Sequence, residues 1–435
     1  MPAPDLSVVI ASHNRCDVVL HTLDQLRERT RGVRAEIIVV DNRSTDGTPD
    51  ALRRRGDVTL LELSENLGSC AKALGAEVAR APLLLFLDDD SYPRAACVET
   101  MIECFDRDPD LGAAGFTVHL PNGAQECSAL PHVFVGCGVG LRAAALRDVG
   151  GLDSSFFMQA EEYDLALRLL GAGWGVEIFA DLEVDHLKTP HARRSARTTY
   201  YDIRNNLRVV ARYLPDEFAA VYRGDWLLRY EWLARRLDAT ARGENHGAEG
   251  EAPVAPASVI TREAVHAGAD DSVDGDLDGE HLTAFRRGAA DGDRLALSDR
   301  RAFRTRRMTR GQLEPVFQWE EIEERMRRLA TSGVRRIVFA DFGKNIYAFL
   351  RGAQRADLDV AAVADDAWSA VGRQYRGVPI LPTSQALTSR PDAIVVSNTS
   401  SVQAQRGLEA LAAAGSPPVY AWHATPRSTM QPLSL

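Results

Sequence analysis

The sequence predicts an α/β protein built from two sheet-bearing units, a larger one in the first half of the chain and a smaller one near its end. Short apolar runs alternate with helically spaced segments as far as about residue 215, the pattern of a sheet flanked by helices. A Gly-, Ala-, Glu- and Pro-rich stretch at 241–258 then has linker composition, and a second series of apolar runs begins at Arg336. A length of 435 residues suits two or three domains.

In the first unit, Leu6-Ser7-Val8-Val9-Ile10 is an apolar run ending in the polar turn Ser12-His13-Asn14-Arg15. Val19, Leu20, Leu23 and Leu26 recur at helical spacing across 18–29. Glu36 to Val40 reads as a second strand stopping at Asp41, residues 58–63 as a third, and Pro82 to Leu87 as a fourth that runs into Asp88-Asp89-Asp90. Open α/β sheets bind ligands beyond the carboxyl ends of their strands. Polar and acidic clusters stand at that end of strands one, two and four.

Residues 226–237 read as a helix. Residues 270–280 are strongly acidic, whereas nine arginines fall between Arg286 and Arg310. Residues 320–329 form an amphipathic helix, with Ile322, Met326 and Leu329 on one side and the i,i+4 pairs Glu321–Arg325 and Glu324–Arg328 on the other. Strands are expected at 336–340, 358–364 and 393–396. The expected division is 1–237, a linker and helical segment at 238–315, and a Rossmann-like accessory domain at 316–435.

Composition narrows the function. Subtracting 61 acids from 51 bases gives a net charge of −10, a poor match to a nucleic-acid binder. No apolar run approaches the roughly 18 residues of a membrane span, and the first five residues lack an export signal. Six cysteines without a CxxC pair suggest reduced thiols and a cytoplasmic location.

Two acidic groups carry the chemistry. Three adjacent carboxylates at 88–90 repel one another, so either water solvates them in a turn or a divalent cation neutralises them. Glu161-Glu162-Tyr163-Asp164 precedes apolar helical spacing at Leu165, Leu169 and Leu170. Acids are favoured at a helix start by the dipole, and one of them is also suited to proton abstraction.

SVVIASHNR, VVDNRSTDGT, ENLG, FLDDDSYP and GLDSSFFMQAEEYDLALRLLGAGW, in that order, resemble the family 2 glycosyltransferases with the GT-A fold, a Rossmann-like mixed sheet. Within that family the chain looks most like rhamnosyltransferase-type enzymes of glycan biosynthesis. The resemblance covers about half the chain, and HLKTPHARRSARTTYYDIRNNL resembles the segment that closes the active site. It implies an inverting, metal-dependent transferase moving a sugar from a UDP- or dTDP-linked donor to a glycan, lipid-linked or small-molecule hydroxyl. Ser12, His13 and Arg15 would then lie beside the nucleotide. Asp41 would accept from the imide of the base, although a strand-end carboxylate also serves as a turn cap. Asn66 and Gly68 would bring backbone to the nucleotide, with Lys72 near the phosphates and Asp89 beside them. Asp88 would contact ribose or metal, and Asp90 and His186 would complete the site for Mn2+ or Mg2+, His186 being otherwise a packed or surface residue.

Glu162 stands where the family usually has Asp as general base, so Glu162 is the expected base and Glu161 the alternative. Asp164 is expected as a structural or acceptor-binding residue, and Trp174 either packs beside the acceptor or belongs to the core. The Gly-rich segment 134–140 lacks phosphate-loop spacing and is expected under the acceptor, with Cys127 and Cys137 as ordinary thiols. The turn Phe339-Ala340-Asp341-Phe342-Gly343-Lys344-Asn345 has one glycine, so the dinucleotide fingerprint fails. Asp274, Asp276, Asp278 and Gly279 imitate a calcium loop, but Phe285 stands where the closing Glu is required. Two rival functions stay open: a non-catalytic sugar-nucleotide-binding scaffold, and a bifunctional enzyme whose last domain binds a dinucleotide. The block from Arg286 to Arg310 pairs with acidic segments or contacts an anionic membrane peripherally, on its inner face.

Overall fold

The computed structural model describes residues 3–189, 195–243, 279–305, 307–412, 417–423 and 426–429. The 241–258 linker beyond residue 243, the acidic stretch up to 278 and residues 190–194 of the expected closing segment lie outside the described residues.

The first sheet holds β1 (Leu6–Ser12), β2 (Ala35–Asp41), β3 (Thr59–Glu62), β4 (Leu83–Asp88), β5 (Ser91–Pro93), β6 (Leu111–His119), β7 (Gln125–Glu126), β8 (Gly138–Arg142) and β9 (Gly175–His186). Its order is β3-β2-β1-β4-β8-β6-β9-β5, with β7 paired to β6. β1 to β4 are mutually parallel, whereas β8 runs antiparallel to both β4 and β6. A mixed sheet of this kind is what the resemblance to the GT-A fold implies. Register sets Ser12 opposite Asp41, and Ala11 opposite Asp88, so three polar strand ends share one edge. Val8, Val9, Leu84 and Leu85 are buried on both faces, as continuous apolar runs in parallel strands require.

Helices α1 (Cys16–Arg29), α2 (Thr48–Arg55), α3 (Lys72–Val78), α4 (Cys97–Arg107), α5 (Ala143–Asp148) and α6 (Glu161–Gly171) cover this sheet. α7 (Ser195–Tyr213) and α8 (Asp216–Ala241) follow. The helix expected at 226–237 is thus 26 residues long, because Phe218, Tyr222 and Trp226 are buried on the same face. α9 (Glu280–Ala302) lies against α7, and the approach is close because Gly288 and Gly292 share one face. A Cβ on Gly288 would meet Tyr200 O at 2.4 Å, and one on Gly292 would meet Arg204 O at 2.9 Å. Four arginines of the basic block are paired: Arg294 with Asp291, Arg300 and Arg307 with Asp216, and Arg310 with Glu320.

The second sheet comprises β10 (Arg336–Ala340), β11 (Asp359–Ala364), β12 (Gln374–Tyr375), β13 (Val378–Leu381), β14 (Ala393–Val396) and β15 (Val419–Ala421), in the order β12-β13-β11-β10-β14-β15. Among the described residues of this sheet only the β12–β13 pair is antiparallel. α10 (Arg310–Phe317) and α11 (Trp319–Thr331) precede it, with α12 (Ile346–Arg355), α13 (Thr383–Ala386) and α14 (Ser401–Ala412) between its strands. The two sheets share part of their core. One apolar cluster extends from Val9 and Leu84 through Tyr222, Trp226 and Trp319 to Phe339 and Ile380. Tyr222 OH donates to Asn345 Oδ1 at 2.5 Å and accepts from Trp319 Nε1 at 2.7 Å. Among the described residues no helix is long and apolar enough to cross a membrane.

Candidate active site

A cleft of 260 Å3 opens at the aligned strand ends. Ser12, His13, Arg15, Asn66, Gly68, Lys72, Asp88, Asp89, Glu161, Glu162 and His186 all line it. Eleven of the expected residues, scattered over 175 positions of sequence, therefore meet in one place.

The strand-end carboxylates divide by partner. Lys72 Nζ, buried on the first turn of α3, donates to Asp88 Oδ1 at 2.7 Å and to Gly136 O at 2.9 Å. Burial would raise the Asp88 pKa, but the charges of Lys72 and His186 hold it below the ordinary carboxylate value. Asp89 accepts from Ser12 Oγ at 2.8 Å and Arg15 Nη1 at 2.5 Å. Its burial nevertheless pushes its pKa up to about 6. Asp90 departs from expectation. It is fully buried, takes Arg15 Nη2 at 2.8 Å and Thr189 N at 2.9 Å, and faces His186 Nε2 at 3.3 Å. It does not line the cleft. The sequence cannot anticipate this, because Arg15 reaches Asp90 only through β1–β4 pairing.

The metal-ligand geometry accordingly shifts. Asp88, Cys137 and His186 offer ligand atoms within 4.8 Å of one another. His186 Nδ1 donates to Glu126 Oε2 at 2.9 Å, the carboxylate–histidine arrangement that orients a metal-binding imidazole. Burial alone would lower the His186 pKa, but Cys137, Asp90 and Glu126 raise it well above the ordinary histidine value. Burial raises the Cys137 pKa against the opposing His186, keeping it a thiol, so Asp88 and a deprotonated His186 are the donors a cation would meet. Their oxygen and nitrogen atoms fit a divalent cation of the Mn2+ type. Glu126 and Lys188, paired at 2.7 Å, carry no sequence signal; β7 pairing with β6 brings Glu126 in.

Asp41 does not line the cleft. Its Oδ2 caps the following turn through Ser44 N at 2.9 Å, while its buried Oδ1 makes no hydrogen bond among the described residues. The neighbouring Asn42, which the sequence did not single out, ties the strand end to the ENLG turn through Gly68 O at 2.9 Å and Leu67 N at 3.0 Å. Gly68, which lines the cleft, also has a packing role. It has φ +65°, and a Cβ would lie 2.2 Å from Phe157 O, so its bare backbone docks against the loop leading into α6. Gly138 and Gly140 likewise face Val184 and Met101 in the sheet packing and leave only Gly136 at the cleft.

α6 begins at Glu161. Ser69 Oγ donates to Glu161 Oε1, and Glu161 Oε2 is buried without a hydrogen bond among the described residues. Burial raises the pKa of both glutamates. Glu162, repelled in addition by Glu161, rises well above the ordinary carboxylate value. Of the two roles expected for Asp164 and for Trp174, their contacts fit the structural one. Asp164 is fully buried under Arg168, Arg212 and Tyr213 at 2.6–2.9 Å, and Trp174 Nε1 donates to Asp148 at 3.0 Å, outside the cleft.

Residues 7–129 match the sequence model described as Glycosyl transferase family 2. Over that segment the chain is similar to the family 2 glycosyltransferases. It is 28% identical over 174 residues to the glucosyl-dolichyl phosphate glucuronosyltransferase of Haloferax volcanii, covering 37% of this chain and 56% of that protein. It is 31% identical over 122 residues to the succinoglycan biosynthesis protein ExoO of Rhizobium meliloti, covering 27% and 33%. The chain spans between a third and about half of the length of these two relatives. Among solved structures it is similar to the mannosyltransferase PcManGT of Pyrobaculum calidifontis in complex with GDP-Man and Mn2+, at 21% identity, 57% and 77% coverage of the two chains and a TM-score of 0.42. It is also similar to S. aureus TarS in complex with UDP-GlcNAc, at 13% identity, 86% and 99% coverage and a TM-score of 0.45. The family match ends before Glu161 and Glu162, so their role rests on the cleft geometry.

Proposed function

We propose that this protein transfers a sugar, of hexosyl or rhamnosyl type, from a UDP- or dTDP-linked donor to an acceptor hydroxyl with inversion at the anomeric carbon. The observation that carries this is one cleft flanked by two unlike carboxylate groups. On one side, Asp88 is held ionised beside Lys72. On the other, Glu161 and Glu162 have raised pKa values, as a group that must take a proton requires. The two relatives, a glucosyl-dolichyl phosphate glucuronosyltransferase and a succinoglycan biosynthesis protein, agree with glycosyl transfer in glycan assembly.

In this reading Lys72, Lys188 and Arg15 surround the diphosphate, and the pyrimidine turns toward the Asp41 turn, where Oδ1 makes no hydrogen bond among the described residues. Asp88 and His186 would hold Mn2+ or Mg2+, which when bound neutralises charge on the diphosphate. Glu162 takes the proton from the acceptor hydroxyl. As that oxygen bonds to the anomeric carbon, the bond to the diphosphate oxygen breaks from the opposite side. The nucleoside diphosphate leaves with the electron pair.

Thermal denaturation with UDP, dTDP and GDP, each with and without Mn2+ or Mg2+, tests the reading. A ligand at 100 times its Kd adds about 2.7 kcal/mol of stability. Stabilisation by UDP or dTDP that grows with the cation is expected. Equal indifference to all the nucleotides overturns the proposal.

A further inference from the structure

A second cavity, of 310 Å3, lies between the two sheets. Its walls come from the β7 end and the 130–135 loop, from β9, and from Ser400, Ser401, Val402, Gln405, His423 and Pro426 of the second unit. Glu126, Ser128, Phe134 and Val135 line both this cavity and the cleft, so the two are contiguous. Ser128 Oγ donates to Tyr163 OH at 3.2 Å, one residue beyond Glu162.

The second unit is fixed in this position. Cys127 Sγ lies 2.9 Å from Ser400 Oγ. Beyond β15 the chain returns to the first sheet, where Ala180 N donates to Arg427 O at 2.9 Å and Arg427 N to Ile178 O at 2.8 Å. The strand-end crevice of the second sheet, where such sheets present ligands, is thereby turned toward the transferase cleft. There Gly343 packs against the Ser397 backbone, where a Cβ would lie 2.5 Å from Ser397 O.

The two spaces differ in charge. Arg15, Lys72, Lys188 and Arg197 line the cleft, whereas among the described residues lining the cavity there is no lysine or arginine, and Glu126 and Glu177 are present. Apolar Leu130, Ile178 and Val402 alternate there with hydroxyl and amide groups, and His423 Nδ1 is buried without a hydrogen bond among the described residues. Apolar walls with a few polar groups suit a small organic ligand, and the volume is at the lower end of the ordinary range of about 300–1,000 Å3.

We infer that this cavity is the acceptor site, that the second unit supplies one of its walls, and that its occupant is an uncharged glycoside. The glycoside presents a hydroxyl at the Ser128 mouth and lays its apolar portion against Val402. This rests on the transferase reading, because only that reading gives the shared mouth a reacting hydroxyl.

Saturation-transfer NMR and calorimetry on the full chain, with UDP and Mn2+ present, test it. The probes are p-nitrophenyl glycosides of glucose, galactose, mannose and rhamnose, with p-nitrophenyl β-D-glucuronide as the anionic control. The neutral glycosides should bind, at least about ten-fold more tightly than the glucuronide, because Glu177 faces the anion and no lysine or arginine stands among the described residues lining the cavity. Val402→Trp should weaken the glycosides about ten-fold or more by filling the cavity, and Gln405→Ala should weaken them less. UDP affinity, measured in the same samples, reports that each variant is folded. Failure of every neutral glycoside, preference for the glucuronide, or binding indifferent to Val402→Trp overturns the inference. Failure of UDP alone instead overturns the transferase reading.

Discussion

Both sheets end their parallel strands in acids, yet they use them oppositely. In the first, Asp88 and Asp89 border an open cleft and face Lys72 and Arg15. In the second, Asp341 Oδ2 accepts from Asn398 Nδ2 at 2.6 Å, and Asp365 accepts from Phe342 N, Ala367 N and Trp368 N at 2.7–3.1 Å. Arg229 of α8 donates to the Phe342 carbonyl beside them. Burial pushes the Asp341 pKa to about 7, with Asp365 adding repulsion. An acid at a strand end becomes a site only when space and cations remain beside it; when neighbouring backbone satisfies it, it is part of the packing.

The largest expected effect is on proton transfer. Glu162→Gln keeps the packing but cannot accept a proton, so turnover should fall by about 10²–10⁴-fold with UDP affinity retained. Because the Glu162 pKa is raised, wild-type turnover should climb with pH to above the ordinary carboxylate range. A flat profile, or near-normal turnover of the variant, would assign the proton to Glu161 or to neither.

The metal side should respond next. His186→Ala removes a donor and Glu126→Gln removes its orienting partner, and each should weaken apparent Mn2+ affinity by about 10–100-fold. A shrinking ratio of Mn2+ to Mg2+ activity should accompany the loss in His186→Ala. Wild-type Mn2+ binding should weaken as pH falls, since protonated His186 cannot ligate. Titration of Mn2+ by calorimetry in the presence of UDP checks both points, and unchanged affinity in the variants would remove His186 from the site.

Asp41→Ala should weaken UDP binding roughly ten- to a hundred-fold, the value of a charge-assisted hydrogen bond of about 1.5–3 kcal/mol. Unchanged affinity would leave Asp41 as a turn cap alone.

The smallest effect belongs to the second sheet. The folded-state pKa of Asp341, about 7, exceeds its ordinary value of 3.8, so the folded chain holds the extra proton and this stability is lost as pH rises through about 7. Asp341→Asn should flatten that loss. Its melting temperature should fall less between about pH 5 and pH 8 than that of the wild type, by something like 2–4 °C for each kcal/mol in a domain of about 200 residues. UDP affinity should not change. A nucleotide effect of Asp341→Asn would break the contrast between the two sheets.

Much of the fold was legible in sequence because strand and helix periodicity are local. The runs at Leu6, Glu36, Leu83, Arg336 and Ala393 became strands within a residue or two of their expected bounds. Less legible were residues whose pattern is shared by two roles. Asp164 and Glu162 stand on the same first turn of α6, but Asp164 turns inward to Arg212, more than forty residues away, and Glu162 turns to the cleft. Gly68 was legible as a glycine of need, but its neighbour is Phe157 backbone.

The sequence by itself determined the strand order of chemistry: which polar turns follow which apolar runs, and that acids, a histidine and a lysine are available at those ends. Such information survives in one dimension because side-chain periodicity and turn preferences act over a few residues. Only the tertiary structure decided which carboxylates remain open. Arg15 took Asp89 and Asp90, Lys72 took Asp88, and Glu126 reached His186 through β6–β7 pairing. It also decided that the second sheet walls a cavity beside the first and shares its core. These contacts join positions separated by tens to hundreds of residues, and charge and close packing depend on distance in space, which no local pattern encodes.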